Sequence, residues 1–107
     1  ISADQILMKQ AIFNVIHNAI RYSKDGGLVE IVLKKDVLSI KNYGVGIAED
    51  SINKIFEPFY CVDKSRSKKL GGSGLGLAIT KEILKAHGFD ISANSKEEEF
   101  TEFRIYF

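Results

Sequence analysis

The chain has 107 residues, the size of one domain with a single hydrophobic core. Hydrophobic residues make up 45% of it and charged residues 27%, and 15 basic against 14 acidic residues give a net charge of +1. This balance is typical of a globular domain, and it gives no global electrostatic argument for binding nucleic acid or a membrane surface. The single Cys61 excludes an internal disulfide and a cysteine-rich zinc site.

No apolar run approaches the roughly 18 residues that a membrane-spanning helix needs, and no signal-peptide pattern opens the chain. The sequence begins without an initiator Met. We therefore expect residues 1–107 to be a single domain excised from a longer protein.

A first helix is predicted from Asp4 to Tyr22, because apolar residues recur along it at spacings of three and four. Asp4 is its predicted N-cap, and the segment 23–27 with its two glycines ends it. Asn14 and Asn18 lie off the apolar stripe but share one face, since they are four residues apart. Arg21 follows near that face one turn later. The predicted stripe consists of Met8, Ala11, Ile12, Val15, Ile16, Ala19 and Ile20.

Two short strands over residues 28–34 and 37–41 alternate apolar and polar side chains and form a predicted hairpin. The segment 42–47 is expected to break the second strand. A short helix over 48–56, a second long helix over about 75–86 and two final strands over 89–94 and 100–107 follow. This order predicts an α+β fold, a two-layer α/β sandwich with a mixed sheet and helices on one face.

A glycine cluster, residues 71–76, directly precedes the second long helix. Glycines at a helix start expose backbone N–H groups to a phosphate, although such a cluster can also be a simple turn. It matches neither a P-loop, which ends in Gly-Lys-Ser/Thr, nor a dinucleotide fingerprint, which follows a strand. The basic segment before it is either a solvated loop or a lid whose cations offset phosphate charge. Those cations are Lys64, Arg66, Lys68 and Lys69.

Asparagine is a poor helix former, so the pair Asn14 and Asn18 indicates either two solvated positions or a magnesium site. Mg²⁺ takes oxygen ligands and is often shared with nucleotide phosphates. Asn42, followed by Gly44 and Gly46, is either part of a bulged turn or a residue that hydrogen-bonds a base edge. Both histidines, His17 and His87, are predicted to be structural, because neither has a nearby metal-binding or catalytic partner in the sequence.

Four stretches resemble, in order, the N, G1, F and G2 boxes of the bacterial sensor histidine kinases. They are Asn14-x-x-x-Asn18-Ala19-x-Arg21-Tyr22, Asn42-Tyr43-Gly44-Val45-Gly46-Ile47, Ile55-Phe56-Glu57-Pro58-Phe59-Tyr60 and Gly72-Ser73-Gly74-Leu75-Gly76-Leu77. The resemblance covers residues 4–107. It implies the catalytic and ATP-binding domain of such a kinase, with the Bergerat-type fold that type II topoisomerases and related ATPases share.

The resemblance implies ATP and Mg²⁺ as cofactors. By that match Asn18 would coordinate Mg²⁺, Asn14 would contact phosphate or the metal, Arg21 would reach phosphate, and Tyr22 would lie by the nucleoside. Asn14 and Arg21 are the candidates for a catalytic role. The implied ATP-binding residues are Asn14, Asn18, Arg21, Tyr22, Asn42, Gly44, Gly46, Ile47, Phe59, Lys64, Arg66, Lys69, Gly72, Gly74, Leu75, Gly76 and Leu77.

The sequence departs from the family at Asn42, where these kinases usually carry Asp to accept a hydrogen bond from the adenine amino group. An amide oxygen accepts that bond as well, but a charge-assisted bond is typically stronger by about 1 kcal/mol. Weaker binding or altered selectivity between adenine and guanine is the expected consequence. Hydrolysing and serine-phosphorylating members of the fold usually carry Glu at the position of Asn14. Asn14 instead suits a histidine acceptor, whose neutral imidazole already has a lone pair.

The resemblance implies transfer of the γ-phosphoryl group of ATP to a histidine on a separate dimerisation and phosphoacceptor domain. The implied partners are that domain and a response regulator receiver domain, without nucleic acid, and the isolated domain is expected to be monomeric. The implied location is cytoplasmic, in a parent protein anchored in the cell membrane. Two alternatives stay open: a degenerate nucleotide-binding or interaction module without kinase activity, and a same-fold ATPase or serine-type kinase.

Overall fold

The computed structural model describes residues 3–24, 26–58, 60 and 76–107. Its elements are α1 (Gln5–Tyr22), β1 (Val29–Lys34), β2 (Val37–Tyr43), α2 (Glu49–Ile52), α3 (Gly76–Ala86), β3 (Asp90–Lys96) and β4 (Phe100–Tyr106). The helices α1 and α3 pack against each other and on a four-stranded sheet. The predicted α+β class, with a helical layer on a sheet, is confirmed.

The sheet has the strand order β1-β2-β4-β3, and its three neighbouring pairs are antiparallel. The sequence led us to expect a mixed sheet, and the described strands differ from that expectation. The hairpin of β3 and β4 places β4 beside β2. Strands β2 and β3 therefore point the same way with β4 between them, so the crossover through α2 and α3 creates no parallel pair.

Helix α1 begins where the sequence predicts, because Asp4 caps it by accepting a hydrogen bond from the Leu7 N–H at 3.0 Å. Its buried stripe is narrower than predicted. Ile20, which the periodicity assigned to the core, is 58% exposed. The buried apolar residues of the helix are Met8, Ala11, Val15, Ala19 and Tyr22.

The hydrophobic core lies between helices α1 and α3 and one face of the sheet. Strand β2 alternates buried and half-buried residues along its length, as a strand with one covered face does. Among the largest fully buried side chains are Ile40 of β2, Leu84 of α3 and Phe103 of β4. Because α1 and α3 also pack directly on each other, the start of α3 lies close to the middle of α1.

Two predicted boundaries change. Strand β2 continues to Tyr43, because Asn42 is paired with Val29 on one side and Thr101 on the other. The residues that the sequence analysis placed in a strand break thus belong partly to the strand. Helix α2 spans only Glu49–Ile52, and a series of turns replaces the rest of the predicted helix over residues 48–56.

The start of α1 is tied to the end of α3 by His87. The Asp4 N–H donates to His87 Nε2 at 3.0 Å, and His87 Nδ1 lies 2.8 Å from the Ile83 carbonyl oxygen. Nε2 therefore acts as an acceptor, and Nδ1 is the ring nitrogen directed at that carbonyl. Both ring nitrogens are engaged with backbone, as the predicted structural role of this histidine requires.

Candidate functional site

The two asparagines of α1 are linked to each other and, through Asn14, to the first residue of α3. Asn14 Nδ2 donates to the Gly76 carbonyl oxygen at 3.2 Å, and Asn18 Nδ2 donates to the Asn14 carbonyl oxygen at 2.9 Å. Asn18 is buried and Asn14 is half-buried. The pair is therefore not a solvated face of the helix, which was the alternative left open by the sequence.

Both amide groups are oriented through their nitrogens. An asparagine amide carries its oxygen and nitrogen on two arms of one plane, so anchoring the nitrogen fixes where the oxygen points. Within the described parts of the chain, no hydrogen bond engages the side-chain oxygen of Asn14 or of Asn18. Both amide oxygens are thus neutral acceptors that the described residues leave unengaged.

Thr80 completes the joint between the two helices, and the sequence analysis missed it. Its hydroxyl donates to the Gly76 carbonyl oxygen at 2.9 Å and lies 3.4 Å from the Ala11 carbonyl oxygen. The Gly76 carbonyl therefore accepts from both helices. The available signal in the sequence was a threonine whose helical spacing places it on the apolar stripe of Leu77, Ile83 and Leu84.

The last turn of α1 places two further predicted residues beside the pair. Arg21 and Tyr22 are 9% and 7% exposed, and the Arg21 guanidinium lies 5.7 Å from the centre of the Tyr22 ring. An arginine held this close to an aromatic face gains a cation–π contact. The N-box residues Asn14, Asn18, Arg21 and Tyr22 thus lie along the half of α1 that faces the interior of the protein.

Asn42 is the most unusual polar residue among those described. It points into the interior from β2 and is 0% exposed, yet no described residue hydrogen-bonds its Nδ2 or its Oδ1. Its register neighbours are Val29 and Thr101. A buried amide without partners costs free energy, typically about 1–3 kcal/mol.

The hydroxyl groups near Asn42 are committed to one another. Ser95 Oγ accepts from the Ile47 N–H at 2.7 Å, donates to the Phe100 carbonyl oxygen at 2.6 Å, and lies 2.9 Å from Thr101 Oγ1. Because Ser95 has one proton, Thr101 donates to Ser95 in this arrangement. The network fastens the turn after β2 to the β3–β4 hairpin, and sequence reasoning identified neither Ser95 nor Thr101.

The two glycines after β2 are required by the protein's own backbone. A Cβ on Gly44 would overlap the Tyr22 carbonyl oxygen, and a Cβ on Gly46 would overlap the Lys96 carbonyl oxygen. Gly46 also has φ +68°, a conformation that favours glycine. These contacts bring the ends of α1, β2 and β3 together. The predicted approach of a ligand to the same glycines stays a prediction.

The remaining predicted residues divide into two groups. Gly76 opens α3, and Leu77 is buried with its side chain in the core, so only its backbone can serve a ligand there. The others lie outside the described residues: Phe59, Lys64, Arg66, Lys68, Lys69, Gly72, Gly74 and Leu75.

Two pKa shifts occur elsewhere on the sheet. A hydrogen bond and the charge of Glu99 raise the pKa of Lys96, and the charge of Glu102 is the main cause that raises the pKa of Arg104. Lys96 and Arg104 are both exposed, so their ion pairs add little stability. Arg104 lies on the sheet face opposite Asn42, which places it outside the candidate site.

Two features are absent from the described residues, a metal-binding cluster and a membrane-spanning helix. They contain no group of three or more His, Cys, Asp and Glu side chains that could hold a metal ion. No helix in those same segments combines the length and the apolar character of a membrane span.

The family model described as histidine kinase-, DNA gyrase B- and HSP90-like ATPase matches residues 3–107. The chain is 43% identical to the sensor histidine kinase WalK of Bacillus subtilis over 107 residues, covering 94% of this chain and 18% of that protein. It is 47% identical to the sensor protein kinase WalK of Staphylococcus aureus over 100 residues, covering 88% of this chain and 24% of that one. The chain thus spans less than a quarter of the length of these relatives.

Similar folds among solved structures also belong to histidine kinases. A mycobacterial sensor histidine kinase, MprB, superposes with a TM-score of 0.82 at 29% identity, covering 98% of this chain and 74% of that chain. The catalytic domain of histidine kinase ThkA superposes with a TM-score of 0.73 at 31% identity, covering 97% and 69%. Full-length ShkA, solved in complex with AMPPNP, gives 0.71 at 26% identity, covering 92% and 20%. The chain therefore belongs to the histidine kinase-, DNA gyrase B- and HSP90-like ATPase family, as an ATP-binding domain of the sensor histidine kinase type.

Proposed function

We propose that the chain binds ATP with Mg²⁺ and presents the γ-phosphoryl group to a histidine on a separate dimerisation and phosphoacceptor domain of the same protein. The observation that carries this proposal is the anchored amide pair. Asn14 is held through its nitrogen by the Gly76 carbonyl at the start of α3, and Asn18 through its nitrogen by the Asn14 carbonyl, with both oxygens unengaged by the described residues. AMPPNP, named in the ShkA structure, is an ATP analogue and supports the same ligand class.

The donor set fits Mg²⁺ that arrives with a nucleotide. Magnesium prefers oxygen ligands and commonly shares them between one or two protein groups and the substrate phosphates. Asn18 would hold the ion, with Asn14 beside it, and the phosphates would supply the negative charge that these neutral amides lack. Bound Mg²⁺ would offset the charge that develops on the transferring phosphoryl group.

The remaining residues would position and stabilise the nucleotide. The Arg21 guanidinium would pair with phosphate oxygens, Tyr22 would lie against the nucleoside, and Asn42 would hydrogen-bond the base. Transfer breaks the bond between the γ-phosphorus and the oxygen of the departing ADP and forms a phosphorus–nitrogen bond to imidazole. A neutral imidazole attacks through its lone pair, so no base has to remove a proton from the attacking nitrogen. The amide of Asn14 can therefore occupy the position at which a hydroxyl acceptor would require a base.

The parent protein would then act in two-component signalling. Its phosphoacceptor domain and a response regulator receiver domain are the proposed partners, and no nucleic acid is proposed. The relatives are sensor kinases, so the proposed location is the cytoplasmic side of a membrane-anchored protein. We propose that the isolated chain is monomeric.

A calorimetric titration tests the first half of the proposal. We expect the chain to bind ATP, with affinity that falls when Mg²⁺ is replaced by EDTA. No heat at high micromolar ATP would favour an interaction module without nucleotide binding. Steady phosphate release by the chain alone would favour a same-fold ATPase.

Incubation with radiolabelled ATP tests the second half. The chain alone should stay unlabelled, since neither His17 nor His87 is proposed as the acceptor. Addition of the parent protein's phosphoacceptor domain should produce label on that domain that is acid-labile and alkali-stable, as phosphohistidine is. Stable label on this chain, or transfer to serine, would contradict the proposal.

A further inference from the structure

Asn42 differs from the buried Asn18, Thr80 and Thr101, because no described residue hydrogen-bonds its side chain. Asn18 and Thr80 each donate to a backbone carbonyl, and the Thr101 hydroxyl is paired with Ser95. Both polar amide atoms of Asn42 are buried and make no hydrogen bond to the part of the chain that the structure describes. A ligand group that satisfies this residue must therefore offer one donor and one acceptor side by side.

The edge of a purine at its 6-position offers that pair in two forms. Adenine presents the N6 amino donor beside the N1 acceptor. A 6-oxopurine such as hypoxanthine presents the O6 acceptor beside the N1–H donor. An amide has one donor arm and one acceptor arm, so either edge can satisfy both of its atoms.

The choice between these edges depends on which way the amide is turned. Rotation by half a turn about the Cβ–Cγ bond exchanges the oxygen and nitrogen, which have nearly the same size. In Asn14 and Asn18 a hydrogen bond to a carbonyl opposes that rotation. In Asn42 no hydrogen bond within the described residues favours one orientation over the other.

We infer that Asn42 makes the nucleotide site accept 6-oxopurine triphosphates as well as ATP. The inference rests on the proposed function, that the chain binds a purine nucleotide with its base at Asn42. A carboxylate at the same position has acceptors on both arms and would meet the O6 of an oxopurine with repulsion. The amide therefore broadens the substrate class of this site from adenine to purines of both 6-substituent types.

Calorimetric titration of the native chain with three magnesium nucleotides tests this inference. ATP carries the 6-amino group, ITP the 6-oxo group, and purine riboside triphosphate only hydrogen at position 6. We expect ATP and ITP to bind within about threefold of each other, and the 6-hydrogen analogue to bind at least about tenfold more weakly, since each lost hydrogen bond to a buried partner is worth about a tenfold change. Asn42→Asp should lower ITP affinity relative to ATP by about tenfold, with thermal unfolding used to establish that the variant is folded.

The outcomes separate this inference from the proposed function. ATP binding at least about tenfold tighter than ITP would overturn the inference and leave nucleotide binding intact. Equal binding of all three nucleotides would also overturn it, because Asn42 would then make no contact with the 6-position. Binding of none of them would refute the proposed function itself, and the inference with it. The native chain alone decides among these results, so they stand even if Asn42→Asp fails to fold.

Discussion

The asparagines of α1 and the asparagine of β2 are all proposed to contact a ligand, but the fold holds their side chains in two different ways. Asn14 and Asn18 are anchored through their nitrogens, and only their oxygens remain for a ligand. Asn42 has both arms unengaged by the described residues and is more deeply buried than either. The first arrangement fixes the orientation of the amide group in the ligand-free protein, whereas in the second the ligand would determine it.

The two arrangements also differ in their effect on the stability of the ligand-free protein. Asparagine in a helix loses roughly 0.5 kcal/mol against alanine through its lower helix propensity, and the amide bonds of Asn14 and Asn18 offset part of that loss. A buried amide without a partner costs about 1–3 kcal/mol. The strand position is therefore the more expensive of the two for the ligand-free protein, which is consistent with a site kept for binding.

Removing both arms of Asn42 should give the largest effect. Asn42→Leu places a side chain of similar size among apolar neighbours, so we expect the free energy of unfolding in urea to rise by about 1–2 kcal/mol. Nucleotide affinity should fall by about a hundredfold, because two hydrogen bonds to the base are lost. Calorimetry and urea unfolding measure the two changes.

Ile40→Leu is the matched control for that substitution, since Ile40 lies on the same face of β2 and is also 0% exposed. It should change nucleotide affinity by less than about threefold and stability by less than about 1.5 kcal/mol. A destabilised Asn42→Leu variant with undiminished affinity would mean that the amide serves the fold.

Asn14 and Asn18 were predictable from the sequence because their relation is local. Periodicity and the Asp4 cap fixed the helix, and a spacing of four residues places both side chains on one face. The contact of Asn14 with Gly76 joins residues 62 positions apart, and local patterns carry no information about such a contact. Sequence reasoning thus identified the pair, while the structure supplied what it touches.

The environment of Asn42 depended on contacts that are distant in the sequence. A polar residue facing inward breaks the alternation of apolar side chains, so the pattern alone ended β2 before it, whereas pairing with Thr101 extends the strand. The bond between Asp4 and His87 spans 83 positions and was invisible for the same reason. The close approach of Gly44 to the Tyr22 carbonyl also required the packed fold.

Removing one anchored oxygen should give the next largest effect. Asn18→Ala deletes the proposed Mg²⁺ ligand, and we expect ATP affinity measured with Mg²⁺ to fall by about tenfold to thirtyfold, in the range seen when a metal site loses a supporting group. Stability should be unchanged or higher, because alanine is the better helix former. The loss should be much smaller when ATP is titrated in EDTA.

Asn94→Ala is the control here, because Asn94 is exposed on β3 and should change neither quantity. If Asn18→Ala weakened binding equally with and without Mg²⁺, the amide would contact the nucleotide itself. Asn18 would then contact the nucleotide directly, as Asn42 is proposed to do, and would not act as a Mg²⁺ ligand.

Filling the space beside the anchored pair should have a smaller effect. A Cβ on Gly76 would lie 3.7 Å from Asn18 Nδ2 and 3.8 Å from Asn14 Cγ, which is ordinary van der Waals contact. Gly76→Ala should therefore fold, with up to about 1 kcal/mol of added stability from helix propensity. ATP affinity should fall by about threefold to tenfold if phosphates approach this turn. Lys85→Ala, in the exposed last turn of the same helix, should leave affinity unchanged.

The smallest effect on affinity is expected where the network beside Asn42 is broken without touching the ligand. Ser95→Ala leaves the Ile47 N–H and the Thr101 hydroxyl without their acceptor, so unfolding in urea should cost about 1–2 kcal/mol less. Affinity should change by less than about threefold, because Ser95 supports the turn after β2 and not the base. Ser92→Ala, at an exposed position of the same strand, should shift stability by no more than about 0.5 kcal/mol. A tenfold loss of affinity at unchanged stability would place Ser95 in contact with the ligand. Asn42 would then not be the only one of these two residues that hydrogen-bonds the base.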